Sequence, residues 1–482
     1  MMPHSPDLNV ARRAIDLEHA AHEVADVLIV GGGITGVGAA LDAATRGLRT
    51  TLIEAEDLAF GTSRFSSKLV HGGLRYLATG DVATAKESAH ERHLLMTRIA
   101  PHLIHPLGQL LPFSRDVSLQ QRAAGVVGMS LGDLLRMRAR TPRRVLPAPR
   151  LVSPGHAREL FPALETSGLR GGMLSFDGQL VDDARLVVTV ARTAASLGAR
   201  ILTRVRAHTL HHDRVVVEDS VSGQRLTLRA RVVINATGVW AGTLDDEIAM
   251  RPSRGTHIVL DAADLGCPSA ALTIPQQGSI SRYVFALPQQ HGRVIVGLTD
   301  EDAPGPVPRV AAPTESEIAF LLADLNRAIA TPIRRDQVRG AFAGLRPLVD
   351  TGAETTADIS RRHLVKVSGS GVITVLGGKL TTYRRMAEDA IDLATRTHGL
   401  SAPASRTHSF RLVDRTPPPD RPFDHATGLT RAEIGYAVHA EGAMSADDVL
   451  DRRTRVGLVE KDRERTQADV EAIVTEALSD YG

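Results

Sequence analysis

Three glycines and one glutamate near the start of the chain have the spacing of a dinucleotide-binding site. Gly31, Gly33 and Gly36 follow the pattern G-x-G-x-x-G, and Glu54 lies about 20 residues further on. In this pattern the first glycine permits a tight turn, the second admits a pyrophosphate, and the third lets a helix pack close to a strand. Glu54 is placed to bind a ribose and disfavours a 2′-phosphate. The residues therefore predict NAD or FAD rather than NADP.

The elements that must position these residues occur in the required order. Residues 27–30 form an apolar run typical of a buried parallel strand. A small-residue helix is predicted from about Ile34 to Thr45, and a second strand, residues 50–53, ends on Glu54. The helix start directs N–H groups and partial positive charge at phosphates. A dinucleotide-binding Rossmann unit is the favoured interpretation, and a Rossmann unit without a ligand is the alternative.

Three further stretches could contact the same ligand. Residues 61–77, GTSRFSSKLVHGGLRYL, are rich in Gly and Ser and suit phosphate or isoalloxazine oxygens, although an ordinary solvated loop is the alternative. The strand at 232–234 ends in Ala236-Thr237-Gly238, a small-residue turn. Residues 371–396 repeat the order of strand, Gly377-Gly378 and helix. Each would bring backbone N–H groups to the dinucleotide.

The spacing of apolar residues changes in the second half of the chain. Between about 251 and 341, short alternating stretches separated by turns predict an antiparallel sheet, inserted into a discontinuous cofactor domain. We divide the chain as follows: 1–24, N-terminal lead-in; 25–113, 176–245 and 342–400, cofactor domain; 114–175 and 246–341, substrate domain; 401–427, linker; 428–482, C-terminal helical domain.

Composition limits the possible functions. The chain has 482 residues with 57 Lys and Arg against 55 Asp and Glu, so a net charge of +2 argues against a nucleic-acid footprint. Its single cysteine, Cys267, excludes an intrachain disulfide and a Cys-based metal site and fits a reducing cytoplasm. No signal peptide is predicted, and no apolar run approaches the ~18 residues of a transmembrane helix.

One amphipathic segment could nevertheless touch a membrane. In residues 119–144, Val127, Leu131, Leu134 and Leu135 fall at helical spacing. Five arginines follow: Arg136, Arg138, Arg140, Arg143 and Arg144. A basic amphipathic helix can lie on an anionic bilayer, whereas a core-facing helix with a solvated arginine side is the alternative.

Five motifs together resemble one family. GGGITG, GTSRFSSKLVHGGLRYL, NATGVWAG, AGLRPL and GGKLTTYRRMAED occur here in the order found in the FAD-dependent glycerol-3-phosphate dehydrogenases. The resemblance covers roughly residues 25–400, with a further match in the C-terminal helical region. HGGLRYL with GGKLTTYR is specific, whereas GGGITG alone would fit many flavoproteins.

The resemblance implies an α/β fold with a Rossmann-type, glutathione-reductase-like FAD domain, an inserted antiparallel-sheet substrate domain and a small C-terminal α-helical domain. It implies oxidation of sn-glycerol 3-phosphate to dihydroxyacetone phosphate, with electrons passed to a membrane quinone. The protein would be cytoplasmic and peripheral on the inner face of the membrane, and a homodimer is possible. The alternatives are a glycerol-3-phosphate oxidase using oxygen, an FAD enzyme for amines or 2-hydroxy acids, and a non-enzymatic flavin-binding redox sensor.

The resemblance also assigns residues. We expect FAD contacts from Gly31, Gly33, Gly36, Glu54, Thr62, Ser63, Ser67, Lys68, Leu69, His71, Gly72, Val205, Ala236, Thr237, Gly238, Trp240, Gly378, Lys379, Leu380 and Thr381. Around the substrate we expect Arg75, Tyr76, His257, Arg346, Arg361 and Lys379.

The chemistry of these side chains suggests a separate role for each substrate residue. A phosphate dianion favours planar, permanently charged arginine, so Arg346 and Arg361 are assigned to phosphate. Arg75 and Tyr76 would orient the substrate. Either His257 or Lys379 would take the C2 hydroxyl proton, and like charge nearby should lower the pKa of the lysine. His257 could instead be a core histidine, and Arg361 a surface charge.

Overall fold

A computed structural model describes residues 4–73, 76, 80–350 and 362–481. Its strands, numbered in chain order, are β1 Val24–Val30, β2 Thr50–Ile53, β3 Leu69–Val70, β4 Ile104–Pro112, β5 Arg150–Val152, β6 Gly172–Leu180, β7 Arg200–Leu202, β8 Val205–His211, β9 Arg214–Asp219, β10 Arg225–Asn235, β11 Ser253–Asp261, β12 Ala271–Pro275, β13 Tyr283–Pro288, β14 Arg293–Gly297, β15 Glu301–Asp302, β16 Gly340–Arg346, β17 Leu364–Val367, β18 Ile373–Leu376, β19 Pro422–Asp424 and β20 Leu429–Thr430.

The α-helices of the described residues are numbered in the same way. They are α1 Val10–His22, α2 Ile34–Thr45, α3 Val82–Leu94, α4 Leu119–Arg138, α5 Pro154–Leu160, α6 Asp183–Ser196, α7 Ala241–Leu244, α8 Glu315–Asn326, α9 Tyr383–His398, α10 Arg431–Glu441, α11 Ala446–Arg452 and α12 Glu460–Ser479.

The first sheet has the order β17-β18-β10-β1-β2-β7, and its central strands are parallel. The predicted helix at 34–45 and strand at 50–53 are confirmed. Helices α2, α6 and α9 pack on one face of this sheet and bury a core that includes Val27, Val37 and Ile391. This is the predicted Rossmann-type unit.

Close packing at the start of α2 explains two of the glycines. Gly31 has φ +114°, a conformation that favours glycine, and a Cβ there would lie 2.6 Å from the carbonyl oxygen of Ala236. A Cβ on Gly36 would lie 1.8 Å from the carbonyl oxygen of Gly31. Both positions therefore require glycine for the helix to approach the strand.

The second sheet has the order β15-β11-β14-β13-β12-β4-β6-β3, with β16 paired to β11 and β5 to β6. It is antiparallel except for the β12–β4 pair. Strands β3, β4, β6 and most of β16 come from segments that we predicted, wholly or partly, as cofactor domain, yet they hydrogen-bond in this sheet. Apolar strands of the two sheets look alike in sequence, because strand pairing is decided by partners far along the chain.

The C-terminal region forms a helical unit with its own core. Helices α10, α11 and α12 enclose Ile434, Val438, Val449 and Val470. The β19–β20 hairpin precedes them. None of the described helices combines the length and hydropathy needed to cross a bilayer.

Candidate active site

One cavity of about 1280 Å³ is lined by residues from both sheets. It exceeds the ~300–1,000 Å³ typical of a small-molecule site, so it can hold a dinucleotide together with a substrate. The predicted residues on its wall are Gly31, Gly33, Glu54, Thr62, Ser63, Ser67, Leu69, His71, Tyr76, Val205, Ala236, Thr237, Gly238, Trp240, His257, Arg346, Gly378, Lys379, Leu380 and Thr381.

The nucleotide end of the cavity is built from short polar contacts. Gly33 is the N-cap of α2, and Ser63 Oγ accepts a hydrogen bond from the Ile34 N–H at 3.0 Å. Glu54 Oε2 accepts from the Gly32 N–H at 2.5 Å, which ties the carboxylate to the glycine turn. Burial raises the pKa of Glu54. A helix N-terminus, a hydroxyl and a carboxylate at one end of a long cavity fit pyrophosphate and ribose.

Three predicted FAD contacts lie elsewhere. Gly36 serves packing, as described above. Lys68 is fully buried, and its Nζ donates to Asp183 Oδ2 at 2.7 Å and to the Arg64 carbonyl at 2.8 Å. The Gly72 N–H donates to Asp177, and the Arg92 guanidinium fills the space that a side chain at this position would need. Lys68 and Gly72 thus shape the loop from behind the cavity wall.

Two of the predicted substrate residues, Arg75 and Arg361, lie outside the described residues. The other four, Tyr76, His257, Arg346 and Lys379, all line the one cavity although they come from distant parts of the chain. Strands β11 and β16 are directly paired, with His257 opposite Phe342 and Ser253 opposite Arg346. Sheet pairing therefore brings the histidine and the arginine to one wall.

His257 is held rigidly in a buried environment. Its ring stacks on Phe342 with centres 4.9 Å apart, and its Nε2 lies 2.8 Å from Ser67 Oγ. Burial, followed by the charges of Lys68 and Arg346, lowers the pKa of His257 to about 3. The imidazole is consequently neutral at neutral pH.

Arg346 crosses the strand beside it to reach its partners. Its guanidinium donates to Ser253 Oγ at 3.0 Å, Asp300 Oδ1 at 3.1 Å and the Thr299 carbonyl at 2.9 Å. A Cβ on Gly255 would lie 2.5 Å from Arg346 Nη2, so a side chain there would displace the guanidinium. The planar fork is thereby fixed at the cavity wall.

Lys379 contacts a hydroxyl and an aromatic ring. It follows Gly378 after β18 and precedes a short 3₁₀ turn, Leu380–Thr382, that leads into α9. Its Nζ donates to Ser88 Oγ and lies 4.1 Å from the centre of the Tyr76 ring. A cationic side chain over a ring face is attracted to it, so this geometry favours a role for Lys379 as a positive charge on the wall.

Sequence reasoning missed several polar residues of the wall, among them Asp177 and Thr273. Asp177 Oδ1 accepts from Arg92 Nη1 at 2.6 Å and from the Gly72 N–H, so it holds the loop next to His71. Thr273 Oγ1 is buried and has no hydrogen-bond partner among the described residues. No spacing signal marks either one, and the partners of Asp177, Arg92 and Gly72, lie far away in the chain.

Comparison with known proteins shows the family to which the chain belongs. A family model described as FAD dependent oxidoreductase covers residues 26–384, and one described as the C-terminal domain of alpha-glycerophosphate oxidase covers residues 361–479. Glycerol-3-phosphate dehydrogenase 1 of Mycobacterium tuberculosis is 50% identical over 97% of this chain and 98% of its own length. The chain belongs to the FAD-dependent glycerol-3-phosphate dehydrogenase family.

Other members of this family are similar over most of the chain. Glycerol-3-phosphate dehydrogenase of Mycobacterium leprae is 36% identical over 94% of this chain and 84% of its own length. The solved structure of the Bacillus halodurans enzyme, complexed with FAD, superimposes with a TM-score of 0.73 over 98% of this chain and 94% of that chain. At 23% identity this likeness shows the shared fold. The predicted fold class and FAD cofactor are thereby confirmed.

Because His257 is neutral in the folded protein, we expect the free energy of unfolding to fall in acid. Its pKa is about 3 when folded and about 6.5 when unfolded, so the unfolded chain binds more protons between these values. The stability held above pH 6.5 is therefore lost as the pH falls towards 3. Between about pH 7.5 and about pH 5 we expect wild type to lose about 2 kcal/mol more than His257→Gln. Urea unfolding of the FAD-saturated proteins measures this difference, and equal losses would contradict it.

Proposed function

We propose that the chain oxidises sn-glycerol 3-phosphate at C2 to dihydroxyacetone phosphate and passes the electrons to a membrane quinone. The observation that carries this is the 50% identity, across nearly the whole chain, to a protein named glycerol-3-phosphate dehydrogenase. A neutral histidine, an arginine and a lysine line the same large cavity, and this supports the proposed reaction. This set suits a small anionic alcohol.

The substrate phosphate is assigned to Arg346. A phosphate dianion prefers a planar guanidinium because two parallel N–H donors match its oxygens. The charge of Arg346 helps to lower the pKa of His257, which supports placing the anion and the proton acceptor in the same space. Lys379 adds a second positive charge on the cavity wall. Arg75, Tyr76 and Arg361 remain assigned to substrate as the family resemblance implies.

The proton acceptor is assigned to His257 rather than to Lys379. The imidazole is neutral and lines the cavity, whereas the Lys379 ammonium is engaged by Ser88 Oγ and by the Tyr76 ring. A bound phosphate dianion would raise the proton affinity of His257 by opposing the positive charges around it. Ser67 Oγ, 2.8 Å from Nε2, holds the ring in place.

The FAD supplies a hydride acceptor for the C2 hydrogen when it is bound. The chain's part is to hold the dinucleotide at the start of α2, near Ser63 and Glu54, and to present the substrate between His257 and Arg346. Binding the reacting groups in one enclosed space supplies orientation and excludes water.

Two measurements test the reaction and its acceptor. Anaerobic addition of sn-glycerol 3-phosphate should bleach the flavin absorbance, whereas glycine or a 2-hydroxy acid should not. The reduced protein should then be reoxidised by a soluble quinone analogue faster than by air-saturated buffer. Bleaching followed by rapid oxygen consumption without quinone reduction would favour the oxidase alternative. Absence of bleaching would overturn the proposed substrate.

Helix α4 is the proposed contact with the bilayer. Val127, Leu131 and Leu134 point outwards with 57%, 44% and 55% of their surface exposed, whereas Leu135 is buried. Val127 and Leu131 also line the cavity, so the apolar face flanks its opening. An exposed apolar stripe beside a redox site fits entry of a lipid-soluble acceptor.

The structure removes Arg136 from the predicted basic cluster. Arg136 is buried, where its Nε donates to Asp133 at 2.5 Å and its Nη1 to the Thr141 carbonyl at 2.6 Å. It therefore secures the end of the helix and faces no membrane. Exposed arginines remain at Arg138, Arg140, Arg143 and Arg144.

Removing these four charges should abolish binding to anionic vesicles at low salt. Each basic side chain near an anionic surface contributes about 1 kcal/mol, so the glutamine variant loses about 4 kcal/mol. Screening should likewise release wild type as salt rises towards ~1 M. Vesicle sedimentation measures both effects. The matched control replaces four exposed arginines of the β9–β10 region, Arg214, Arg225, Arg229 and Arg231, by Gln. Equal pelleting of all three proteins would place the membrane contact elsewhere.

A further inference from the structure

The loop that follows β2 is held by the C-terminal helical unit. This loop, residues 57–68 (the flavin loop), carries Thr62, Ser63 and Ser67 on the cavity wall. The turn at residues 451–455 (the C-terminal clamp) lies against it and against the start of α6. Asp57 and Arg452 are 395 residues apart in the chain, yet the charged side chains of the two segments are in contact.

The first contact fixes the start of the flavin loop. Asp57 accepts from Arg452 Nε at 2.6 Å and from Arg453 Nη1 and Nη2 at 2.9 and 3.0 Å. All three residues are buried. Burial alone would raise the pKa of Asp57, but Arg453 and Arg452 lower it to about 2. The carboxylate is thus charged and fully matched by two arginines from the clamp.

The second contact fixes the middle of the loop. Arg64 is buried, and its Nη1 lies 3.1 Å from Asp451 Oδ2 while its Nε donates to the Phe60 carbonyl at 3.0 Å. The same guanidinium lies 4.5 Å from the centre of the Phe65 ring. Arg64 therefore joins the clamp to the residues on either side of Ser63.

The third contact reaches the end of the loop through one shared carboxylate. Arg455 Nη2 donates to Asp183 Oδ1 and to Asp182 Oδ1, each at 2.5 Å. Asp183 Oδ2 accepts from the Ser66 N–H, Ser66 Oγ and Lys68 Nζ at 2.9, 2.8 and 2.7 Å. The carboxylate is fully buried, so each of these donors is needed to offset its desolvation.

Between these two anchored residues lies Ser67, whose hydroxyl contacts His257 Nε2 at 2.8 Å. Lys68 Nζ also lies 5.0 Å from the centre of the Phe342 ring on which His257 stacks. Burial and the charge of Arg455 lower the pKa of Lys68 to about 8, so the clamp acts on the site electrostatically as well.

We propose that the C-terminal clamp, through Arg455, sets the conformation of the flavin loop and thereby the affinity for FAD and the placement of His257. Arg455 is a positioning residue that acts through Asp183, Ser66 and Lys68. The C-terminal unit then completes the cofactor site although none of its residues lines the cavity in the described part of the chain. Only the placement of His257 depends on the proposed reaction, because the effect on FAD affinity is measured without substrate.

The test compares FAD dissociation constants by flavin fluorescence and ultrafiltration. Arg455→Met should weaken FAD binding about tenfold or more, because it removes the charge-assisted hydrogen bonds to the loop anchor, and tenfold corresponds to about 1.4 kcal/mol. Arg455→Lys, which keeps the charge, should restore most of the affinity. Arg465→Met is the matched control, since Arg465 binds Asp424 and Asp462 within the C-terminal unit.

A second variant separates positioning from general loss of structure. Ser66→Ala removes the hydroxyl that donates to Asp183 and accepts from the Lys68 N–H, and it leaves the clamp intact, so it tests the loop anchor even if Arg455→Met does not fold. We expect Ser66→Ala to weaken FAD binding by about threefold or more, and to have a smaller effect when combined with Arg455→Met. Unchanged FAD affinity in both single variants would overturn the proposal. A double variant whose loss of FAD affinity equals the product of the two single losses would overturn it as well.

Discussion

Replacing Gly33 by valine should yield folded but colourless protein. Gly33 caps α2 and lines the cavity, and a Cβ there would lie 3.2 Å from Ser63 Oγ. The extra methyl groups would then occupy the approach of the pyrophosphate to the helix start. Overpacking of about 2–3 kcal/mol corresponds to roughly a 100-fold weaker FAD complex. Flavin absorbance per folded protein after gel filtration measures the loss.

The backbone at this position explains why folding should survive. Gly33 has φ −79°, which any residue adopts, whereas Gly31 has φ +114°. Gly435→Val is a matched control, because nothing lies within 4 Å of a Cβ added there. Retention of full flavin absorbance by Gly33→Val would contradict the placement of the pyrophosphate at the start of α2.

Replacing Arg346 by alanine should lower kcat/KM for sn-glycerol 3-phosphate by about 10³-fold while FAD stays bound. Removing a charge-assisted hydrogen bond from a desolvated site costs several kcal/mol, and about 4 kcal/mol corresponds to that factor. Arg346→Lys should recover part of the activity, because it keeps the charge but not the fork. Steady-state kinetics and flavin content measure the two effects.

Glycerol provides the internal control for this prediction. It lacks the phosphate, so wild type should use it poorly, and Arg346→Ala should lower its turnover far less than that of glycerol 3-phosphate. A similar loss for both substrates would show that the arginine supports the wall through Asp300 and Ser253 rather than through the phosphate.

Local signals were sufficient for the nucleotide unit. The glycine spacing, the small-residue helix and the apolar strand are read from neighbouring residues, and the helix begins at Ile34 and ends at Thr45 as predicted. The requirement for glycine at position 36 also follows from local geometry, since its Cβ would meet the carbonyl of Gly31. Such contacts span only a few residues, so the sequence carries them directly.

Whether a charged side chain faces solvent or the protein interior was harder to predict from local signals. The arginines from the last turn of α4 onward look alike in the sequence, yet Arg136 is buried against Asp133 while Arg138 is exposed. Lys68 sits in a loop whose composition suits phosphate, but its ammonium pairs with Asp183. In both cases the deciding partner or packing surface is not implied by the spacing of the residues.

The sequence by itself determined the Rossmann unit, the family and the set of chemically capable side chains, because those depend on short-range spacing and on residue type. The tertiary structure decided which of them meet. Sheet pairing placed His257 and Arg346 on one wall, and burial next to Lys68 and Arg346 made the histidine neutral. The contact between the C-terminal clamp and the flavin loop was likewise not determined by the sequence alone. The ion pair between Arg455 and Asp183 joins residues that approach each other only through the packing of the entire chain.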